Sequence, residues 1–259
     1  MWIAVTRPVS PSIQRCELTH LARQPIEYAL AVEQHVRFEE KLAALGCRVQ
    51  HLRLEPDLPD SVFVEDPAIV LDELAIITRS GALSRRPETD SVAQALAPYR
   101  RLVYIQEPGT LDGGDVLRVG CKLWIGISGR SSLAAIEQVR RELEPLGYSV
   151  AGVAVTGCLH LKSAVTQVAP DTLLINPHWV DPTAFENLAC IEIDPSEPYA
   201  GNGLLFGSAV IYPSNFPATQ RRLEAQGIHL EAVDMSELAK AEGAVTCCSL
   251  IFQSDISED

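Results

Sequence analysis

The order of elements along the sequence predicts an α/β protein built as a propeller-like array of strand-strand-helix-strand units. This order appears about three times, at intervals of roughly 50 residues, which is a period typical of repeat architectures. The strands come in pairs, whereas a simple alternating parallel sheet would place single strands between its helices. No low-complexity linker divides the 259 residues, so we expect one domain over 1–259.

The first half of the chain contains one long predicted helix and several short strands. The start of the chain, 1–7, indicates a strand. The stretch 26–45 has apolar residues at helical spacing, and Gly46 favours a helix end directly after it. A strand is predicted from Cys47 to Leu54. Further strands are predicted at 61–64, 75–78 and 102–105, with a helix at 89–99 before the last of them.

The second half repeats the same order of elements. Two short strands, 115–119 and 122–125, precede a helix that Ser131 or Ser132 can cap. On that helix one apolar stripe is predicted to consist of Leu133, Ile136, Val139 and Leu143. The remaining predicted elements are strands at 149–155, 204–206, 209–211 and 228–233, with a helix at 217–226.

Composition excludes several classes of function. The net charge of −13 argues against nucleic acid, whose phosphates require Lys and Arg, and is compatible with a cationic small molecule. No apolar run approaches the roughly 20 residues that cross a membrane. The beginning of the chain lacks the pattern of a signal peptide. Seven scattered cysteines, an odd number, indicate free thiols in a reducing compartment, and we expect a cytoplasmic protein.

Three distant segments offer a thiol, an imidazole and a carboxylate. Cys247 lies near the end of the chain, His160 lies in the segment 159–163, and Asp112 precedes the Gly-Gly-Asp sequence at 113–115. These three groups are what an attack on a cationic, amidine-like carbon requires. Any single cysteine or histidine is more often part of a core, and spacing alone does not bring the three together.

Acidic and basic residues elsewhere are candidates for holding a guanidinium and a carboxylate. Glu65 and Asp66 interrupt an apolar run, where a carboxylate needs a partner such as a guanidinium; the alternative is that Asp66-Pro67 simply begins a turn. Arg85 and Arg130 are candidates for a substrate carboxylate, although an arginine taken singly is more often solvated.

Taken together, these segments resemble the dimethylarginine dimethylaminohydrolase family of the guanidine-modifying, or pentein, superfamily. The matching segments follow the family's order over nearly the whole chain, at 60–67, 78–79, 84–86, 109–116, 159–163 and 246–249. The resemblance implies a five-fold pseudosymmetric α/β propeller of strand-strand-helix-strand modules, with the substrate in a central channel.

The resemblance also implies a role for each candidate. Cys247 would be the nucleophile, His160 the general acid and then base, and Asp112 a guanidinium ligand that supports His160. The implied substrate-binding residues are Glu65 and Asp66 at the guanidinium, Arg85 and Arg130 at the carboxylate, Asp60 and the main chain of Leu18 at the amino group, and the carbonyl of Ala241. Leu18 would lie on a loop that covers the site.

The implied reaction is hydrolysis of Nω-methylated arginines to citrulline and methylamines through a covalent intermediate on cysteine, with no metal or cofactor. The expected partner is a small cationic amino acid, and the expected state is a monomer or homodimer. The sequence departs from the family at Ala241 and Glu242, where a branched apolar residue and Asp are usual, so substrate preference stays open. The alternatives are an arginine deiminase or another guanidine hydrolase, a catalytically silent binding protein, and a zinc-binding regulator that uses Cys158, His160, Cys247 and Cys248.

Overall fold

Five three-stranded sheets, each with the same internal order, make up the computed structural model, which describes residues 1–254. In every sheet the central strand pairs antiparallel with one neighbour and parallel with the other. In chain order the strands are β1 (Trp2–Thr6), β2 (Cys47–His51), β3 (Ala68–Val70), β4 (Leu74–Ile77), β5 (Arg101–Tyr104), β6 (Val116–Val119), β7 (Lys122–Ile127), β8 (Ser149–Ala154), β9 (Val165–Ala169), β10 (Thr172–Ile175), β11 (Ala189–Glu192), β12 (Leu204–Phe206), β13 (Ala209–Pro213), β14 (His229–Val233) and β15 (Leu250–Gln253).

Helices join the parallel strands in four of the five modules. The α-helices are α1 (Tyr28–Ala44), α2 (Thr89–Leu96), α3 (Leu133–Leu143), α4 (Leu161–Ala164), α5 (Pro217–Ala225) and α6 (Ser236–Ala239). The crossovers that contain α1, α2, α3 and α5 connect the parallel strands β1–β2, β4–β5, β7–β8 and β13–β14. The fourth module, β9–β10–β11, has only the 3-10 helix Pro182–Phe185 at the equivalent place. The predicted five-fold pseudosymmetric propeller is confirmed.

The first module is assembled from both ends of the described chain. Strand β1 pairs in parallel with β2 and antiparallel with β15, which places Trp2 opposite Gln253 and Val5 opposite Leu250. The strand that precedes β1 in the module is therefore supplied from the far end of the sequence, and this pairing closes the ring of modules.

Helix α3 shows how the sequence sets an element and its buried face. The Ser132 hydroxyl accepts a hydrogen bond from Ala135 N, so Ser132 is the N-cap, one of the two predicted possibilities. Ile136, Val139 and Leu143 are buried against the third module as predicted. Leu133, the first residue of the helix, is 65% exposed, so its place in the apolar stripe was wrong.

The predicted strand at 61–64 was also wrong. These residues form turns, in which Phe63 N donates to Asp60 O and Val64 N donates to Val62 O. The segment is apolar because it is buried, with Val62 and Val64 fully inaccessible, and not because it belongs to a sheet. The strand of this module is β3, which follows directly after the turns.

The packing of the fold is divided among five buried clusters, each formed between or beneath neighbouring sheets. The largest lies under α1 and contains Phe38, Leu42 and Val245. Within residues 1–254, no helix has both the length and the apolar character needed to cross a membrane.

Candidate active site

The segments that precede the antiparallel outer strand of each module meet one another and are joined in a closed circuit. Five hydrogen bonds make this circuit: Glu65 N to Cys247 O (3.1 Å), Gly113 N to Asp66 O (2.9 Å), Leu161 N to Asp115 Oδ1 (2.9 Å), Asn202 Nδ2 to Lys162 O (2.9 Å) and Thr246 N to Asn202 Oδ1 (3.2 Å). Residues far apart in the sequence are therefore held together through backbone and buried polar groups.

The three predicted catalytic residues come from three of these segments. Asp112 precedes β6 and is fully buried, His160 stands immediately before α4, and Cys247 precedes β15. The ring nitrogen His160 Nε2 lies 3.2 Å from Asp112 Oδ2, and His160 Nδ1 lies 3.8 Å from Asp66 Oδ1. Cys247 and His160 line the same narrow cavity. The structure thus brings together the groups that sequence spacing could not.

Two glycines allow this close approach. A Cβ atom on Gly113 would lie 2.0 Å from the Glu65 carbonyl oxygen, and one on Gly114 would lie 2.4 Å from His160 Nδ1. Their amides are used as well, since Gly114 N donates to Asp66 Oδ1 at 2.9 Å. The Gly-Gly pair therefore lets the backbone pack directly against the Asp66 carboxylate and the imidazole, where a side chain would not fit.

The His160 imidazole is held as a cation by the carboxylates around it. Burial lowers the pKa of His160, but the charges of Asp66, Asp112 and Asp115 outweigh burial and raise it to about 9. Burial also raises the pKa of Asp112, yet the hydrogen bond and charge of His160 reverse this and hold that pKa far below its usual range. At neutral pH the pair is an imidazolium and a carboxylate.

The Cys247 side chain is a neutral thiol in this environment. Burial raises the pKa of Cys247 to about 12, and the negative charges of Glu65 and Asp66 contribute to the rise. A cation placed against the same carboxylates would remove part of this effect and favour the thiolate.

Asp112, Asp66 and His160 form a group able to hold a cation. One ligand atom from each lies within 4.8 Å of the others, and all three residues are buried. Asp112 Oδ1 is inaccessible and accepts no hydrogen bond from the residues that the structure describes. The Asp112 carboxylate also has the Ser80 side chain as a hydrogen-bonding neighbour, and Asp112 does not itself line the cavity of Cys247.

Arg85 is largely committed to protein partners. Its Nη1 donates to Asp66 Oδ2 at 2.6 Å, while Nε and Nη2 donate to the two carboxylate oxygens of Glu88 at 3.1 and 2.8 Å. Sequence reasoning missed Glu88, whose i+3 spacing from Arg85 was the available signal. Burial raises the pKa of Glu88 to about 7, although Arg85 opposes the shift. Arg85 therefore retains few free donors for a substrate.

Arg130 is held more loosely and reaches across the site. Its Nη1 lies 3.3 Å from Asp112 Oδ2, and its Nη2 lies 3.4 Å from Thr19 Oγ1. Both contacts are long for charge-assisted hydrogen bonds, so most of its guanidinium remains available.

The segment 16–27, between the 3-10 helix Ile13–Arg15 and α1, contains Leu18 and is called the covering loop below. Its Glu17 amide donates to both carboxylate oxygens of Asp60, at 3.2 and 3.1 Å, and Glu17 lines the cavity. Leu18 is half-buried against the first core cluster, next to this contact. The structure therefore places the amide of Glu17, the residue before Leu18, beside Asp60.

Two further predicted residues have different surroundings. Ala241 is buried and lines the cavity with Cys247. Glu65 is absent from that lining; its carboxylate forms a salt bridge with Lys162, accepts a hydrogen bond from Thr246 Oγ1 at 2.9 Å, and lines a second cavity of about 410 Å³. Glu65 thus lies outside the cavity of Cys247, and its charge contributes to the raised pKa of Cys247.

The cysteines proposed for zinc do not gather around His160. Cys158 Sγ donates to the His160 carbonyl oxygen at 3.3 Å, and Cys248 is fully buried with Sγ directed at Ala244 O. The potential cation cluster found within the described chain is formed by Asp66, Asp112 and His160 and contains no thiol.

Asp115 is a second residue that sequence reasoning left without a role. It is fully buried, accepts hydrogen bonds from the hydroxyls of Ser128 and Ser131 at 2.6 Å each, and accepts the Leu161 amide. Ser131 in turn accepts the Asp112 amide at 3.1 Å. Asp115 therefore helps to fix the backbone at Asp112, through Ser131, and at Leu161, the residue after His160.

Five modules around a buried carboxylate, imidazole and thiol define a protein of the guanidine-modifying class. A family model for arginine deiminase matches residues 32–201. The dimethylarginine dimethylaminohydrolase of Streptomyces coelicolor is 39% identical over 249 residues, covering 95% of each chain, and that of Pseudomonas aeruginosa is 34% identical, covering 96% of this chain and 98% of the relative.

A solved structure leads to the same assignment. The Pseudomonas aeruginosa dimethylarginine dimethylaminohydrolase, as a cysteine-to-serine mutant complexed with citrulline, matches with a TM-score of 0.92 and 33% identity, covering 97% of this chain and all of that one. The present chain belongs to the dimethylarginine dimethylaminohydrolase family.

Proposed function

We propose that this protein hydrolyses Nω-methylated arginines to citrulline and methylamines through a covalent intermediate on Cys247. The observation that carries the proposal is the buried pair of carboxylates, Asp66 and Asp112, whose ligand atoms lie within 4.8 Å of a His160 ring nitrogen, while Asp66 and His160 line the cavity of Cys247. The relatives of this protein in Streptomyces and Pseudomonas are named for this activity, and the Pseudomonas structure contains citrulline.

The proposed binding mode uses both ends of the amino acid. The planar guanidinium donates to Asp66 and Asp112, which fixes its central carbon near Cys247. Arg130, whose hydrogen bonds are long, takes the substrate carboxylate, and Arg85 assists with its remaining N–H. Asp60 and the Leu18 carbonyl receive the amino group, and the Ala241 carbonyl accepts a guanidinium N–H. Glu65 acts on Cys247 through its charge.

The proposed chemistry follows from the charges. The bound cation offsets the carboxylates that raise the pKa of Cys247, so the thiol loses its proton to solvent and the thiolate attacks the guanidinium carbon. The imidazolium of His160 gives its proton to the leaving methylated amine. His160 then removes a proton from water, which attacks the thiouronium carbon. The carbon–sulfur bond breaks as the added hydroxyl loses its proton to solvent, and citrulline and the Cys247 thiolate are released.

The direct test is citrulline formation from asymmetric dimethylarginine, with free arginine in a parallel reaction. We expect citrulline from the methylated substrate. Cys247→Ser should remove turnover because the hydroxyl has a much higher pKa than the thiol, whereas the matched Cys248→Ser variant should keep it, since Cys248 Sγ is turned toward Ala244 O. Activity that survives in Cys247→Ser would exclude this residue as the nucleophile.

Arginine deiminase is the second candidate function, and the match of an arginine deiminase model to residues 32–201 favours it. The reaction would use the same residues, with ammonia as the leaving group. Citrulline formed mainly from arginine would assign the protein to this branch. Turnover of neither substrate, together with substrate protection of Cys247 against alkylation, would indicate a binding protein.

We further propose that residues 1–259 act as one catalytic domain in the cytoplasm, as a monomer or homodimer and without a cofactor. The circuit of hydrogen bonds through all five modules supports a single unit. The seven cysteines are all free, as in a reducing compartment. Sedimentation of the purified protein measures the oligomeric state.

A further inference from the structure

Three consecutive amides of the covering loop point at one carboxylate, that of Glu242. Thr19 N donates to Glu242 Oε2 at 2.9 Å, and His20 N and Leu21 N donate to Glu242 Oε1 at 2.5 and 2.7 Å. Glu242 lines the cavity that contains Cys247. Hydrogen bonds to an ionised acceptor are about twice as strong as neutral ones, so this is a firm attachment of the loop to the rim of the cavity.

The backbone of Glu242 has a conformation that suits glycine. Its φ of 59° lies in the left-handed region. Glu242 N donates to Ala239 O at 3.1 Å and Gly243 N donates to Leu238 O at 3.0 Å, the two bonds of a Schellman motif that ends α6. Glycine is the usual residue here because a Cβ atom is crowded. A strained residue persists where other contacts hold it, and such residues concentrate at functional sites.

The covering loop has two other anchors, and both are residues proposed to receive the substrate. Asp60 accepts the Glu17 amide, and Arg130 donates to Thr19 Oγ1. A bound amino acid competes for both, since its amino group would take Asp60 and its carboxylate would take Arg130. Glu242 has no such competing partner in the proposed binding mode, so its three bonds can persist while substrate is bound.

We propose that Glu242 is the latch that keeps the covering loop closed over the cavity of Cys247, and thus a positioning residue for the reaction. The inference rests on the proposed function of the same site. With the latch intact, the loop encloses the substrate and slows its escape from the cavity. Without it, substrate leaves more readily and KM rises, whereas kcat changes less because His160, Asp112 and Cys247 keep their places.

The test is amide hydrogen exchange across residues 19–21, measured in Glu242→Gly and Glu242→Gln. Glycine relieves the backbone strain and removes the carboxylate; glutamine keeps the side-chain size and removes the charge. Loss of charge-assisted bonds should speed exchange of these amides by about tenfold or more. Asn187→Gly is the matched control, because Asn187 also has a positive φ, 69°, and lies outside the site. It should leave loop exchange unchanged.

Kinetics with the methylated substrate provide a second readout. Both Glu242 variants should show a KM raised by about tenfold with kcat changed by much less, since a lost binding contact acts mainly on KM. Unchanged exchange in the Glu242 variants, or equal acceleration in Asn187→Gly, would overturn the latch. Hydrogen exchange can be measured without turnover. If wild type fails to turn over the methylated substrate while the Glu242 variants show faster exchange of the loop amides, the proposed function is refuted and the latch stands.

Discussion

The imidazole of His160 is a far stronger base than a histidine in water, because three carboxylates face it. The pKa of about 9 exceeds the ordinary value of about 6.5, and Asp112 carries the complementary shift in the opposite direction. A general acid with this pKa holds its proton throughout the neutral range, which suits protonation of a basic amine leaving group.

This shift predicts a pH-dependent contribution to stability. Because the folded-state pKa of His160 is raised, protonated His160 stabilises the folded protein. This contribution to the unfolding free energy, on the order of 3 kcal/mol, is fully present below pH 6.5 and is lost as the pH rises through 9. Denaturant unfolding of wild type and His160→Gln from pH 6 to 10 should show a difference in unfolding free energy that shrinks with rising pH.

His35 provides the control of opposite sign. Burial lowers the pKa of His35, so its contribution is present above pH 6.5 and is lost as the pH falls through the lowered pKa. The difference between wild type and His35→Gln should therefore shrink toward acidic pH. A His160→Gln difference that stays constant across the range would contradict the assigned imidazolium.

The Asp115 carboxylate supports the site without lining the cavity. Asp115→Asn keeps the size of the side chain but replaces one acceptor oxygen with a donor amide, which cannot satisfy both Leu161 N and the two serine hydroxyls. We expect a loss of about 1–3 kcal/mol in unfolding free energy. Turnover should fall as well, through displaced Asp112 and His160, and Ser128→Ala should cost less because it removes a single partner. Unchanged stability and turnover would exclude the positioning role.

At the scale of elements, the site is built from the turns that enter each module's outer antiparallel strand rather than from the strands themselves. The sheets supply a frame, and the turns approach one another so closely that side chains are excluded at Gly113 and Gly114. A substitution in these turns should therefore affect chemistry more than folding.

Gly114→Ala tests this arrangement. Its Cβ would lie 2.4 Å from His160 Nδ1 and 2.8 Å from Asp66 Oδ1, so both groups must move. We expect a drop in kcat of about 100-fold, the cost of a displacement near 1 Å in a catalytic group. Gly129→Ala is the matched control, because a Cβ atom at Gly129 would meet no other atom within 4 Å and its φ is unstrained. Equal rates for Gly114→Ala and wild type would show that His160 is not held where the structure places it.

The elements also show where sequence reasoning succeeds. Paired strands and the helices α1, α2, α3 and α5 follow from hydrophobic periodicity and caps, which are local properties. The fourth module escaped detection because its crossover lacks an α-helix, and 61–64 was misassigned because buried turns and buried strands have the same apolar composition.

The site could be predicted only in part, because sequence patterns report local structure and the site depends on contacts between distant segments. The residue types at Cys247, His160 and Asp112 indicate the chemistry, but their meeting depends on contacts between segments more than 40 residues apart, such as that of His160 with Asp112. The attachment of Glu242 to the covering loop spans more than 200 residues and has no local signal.

At the scale of the whole molecule, the pairing of β1 with β15 brings the two ends of the described chain together. The amino group of Met1 donates to Ser254 O at 2.8 Å, beside the ladder between these strands. The ring of modules has no required starting point, because each module contacts its neighbours through the same circuit of hydrogen bonds.

A circular permutant should consequently remain active. We would join Asp259 to Met1 through a short flexible linker and open the chain in the hairpin between β9 and β10, which lies outside the cavity of Cys247. Turnover close to that of wild type is expected, since termini that lie together tolerate permutation. A second permutant opened between Gly113 and Gly114 should be inactive, and activity in that permutant would refute the role of the circuit.

The same pairing has a consequence for biosynthesis. On the ribosome, the strands of the second to fifth modules are all synthesised before β15, the antiparallel partner of β1. The first sheet is therefore the last to be completed. Cys247 lies three residues before β15 and is added at nearly the same moment. The nascent protein thus acquires its proposed nucleophile and strand β15 together, so the cavity of Cys247 is completed only when this last strand is added.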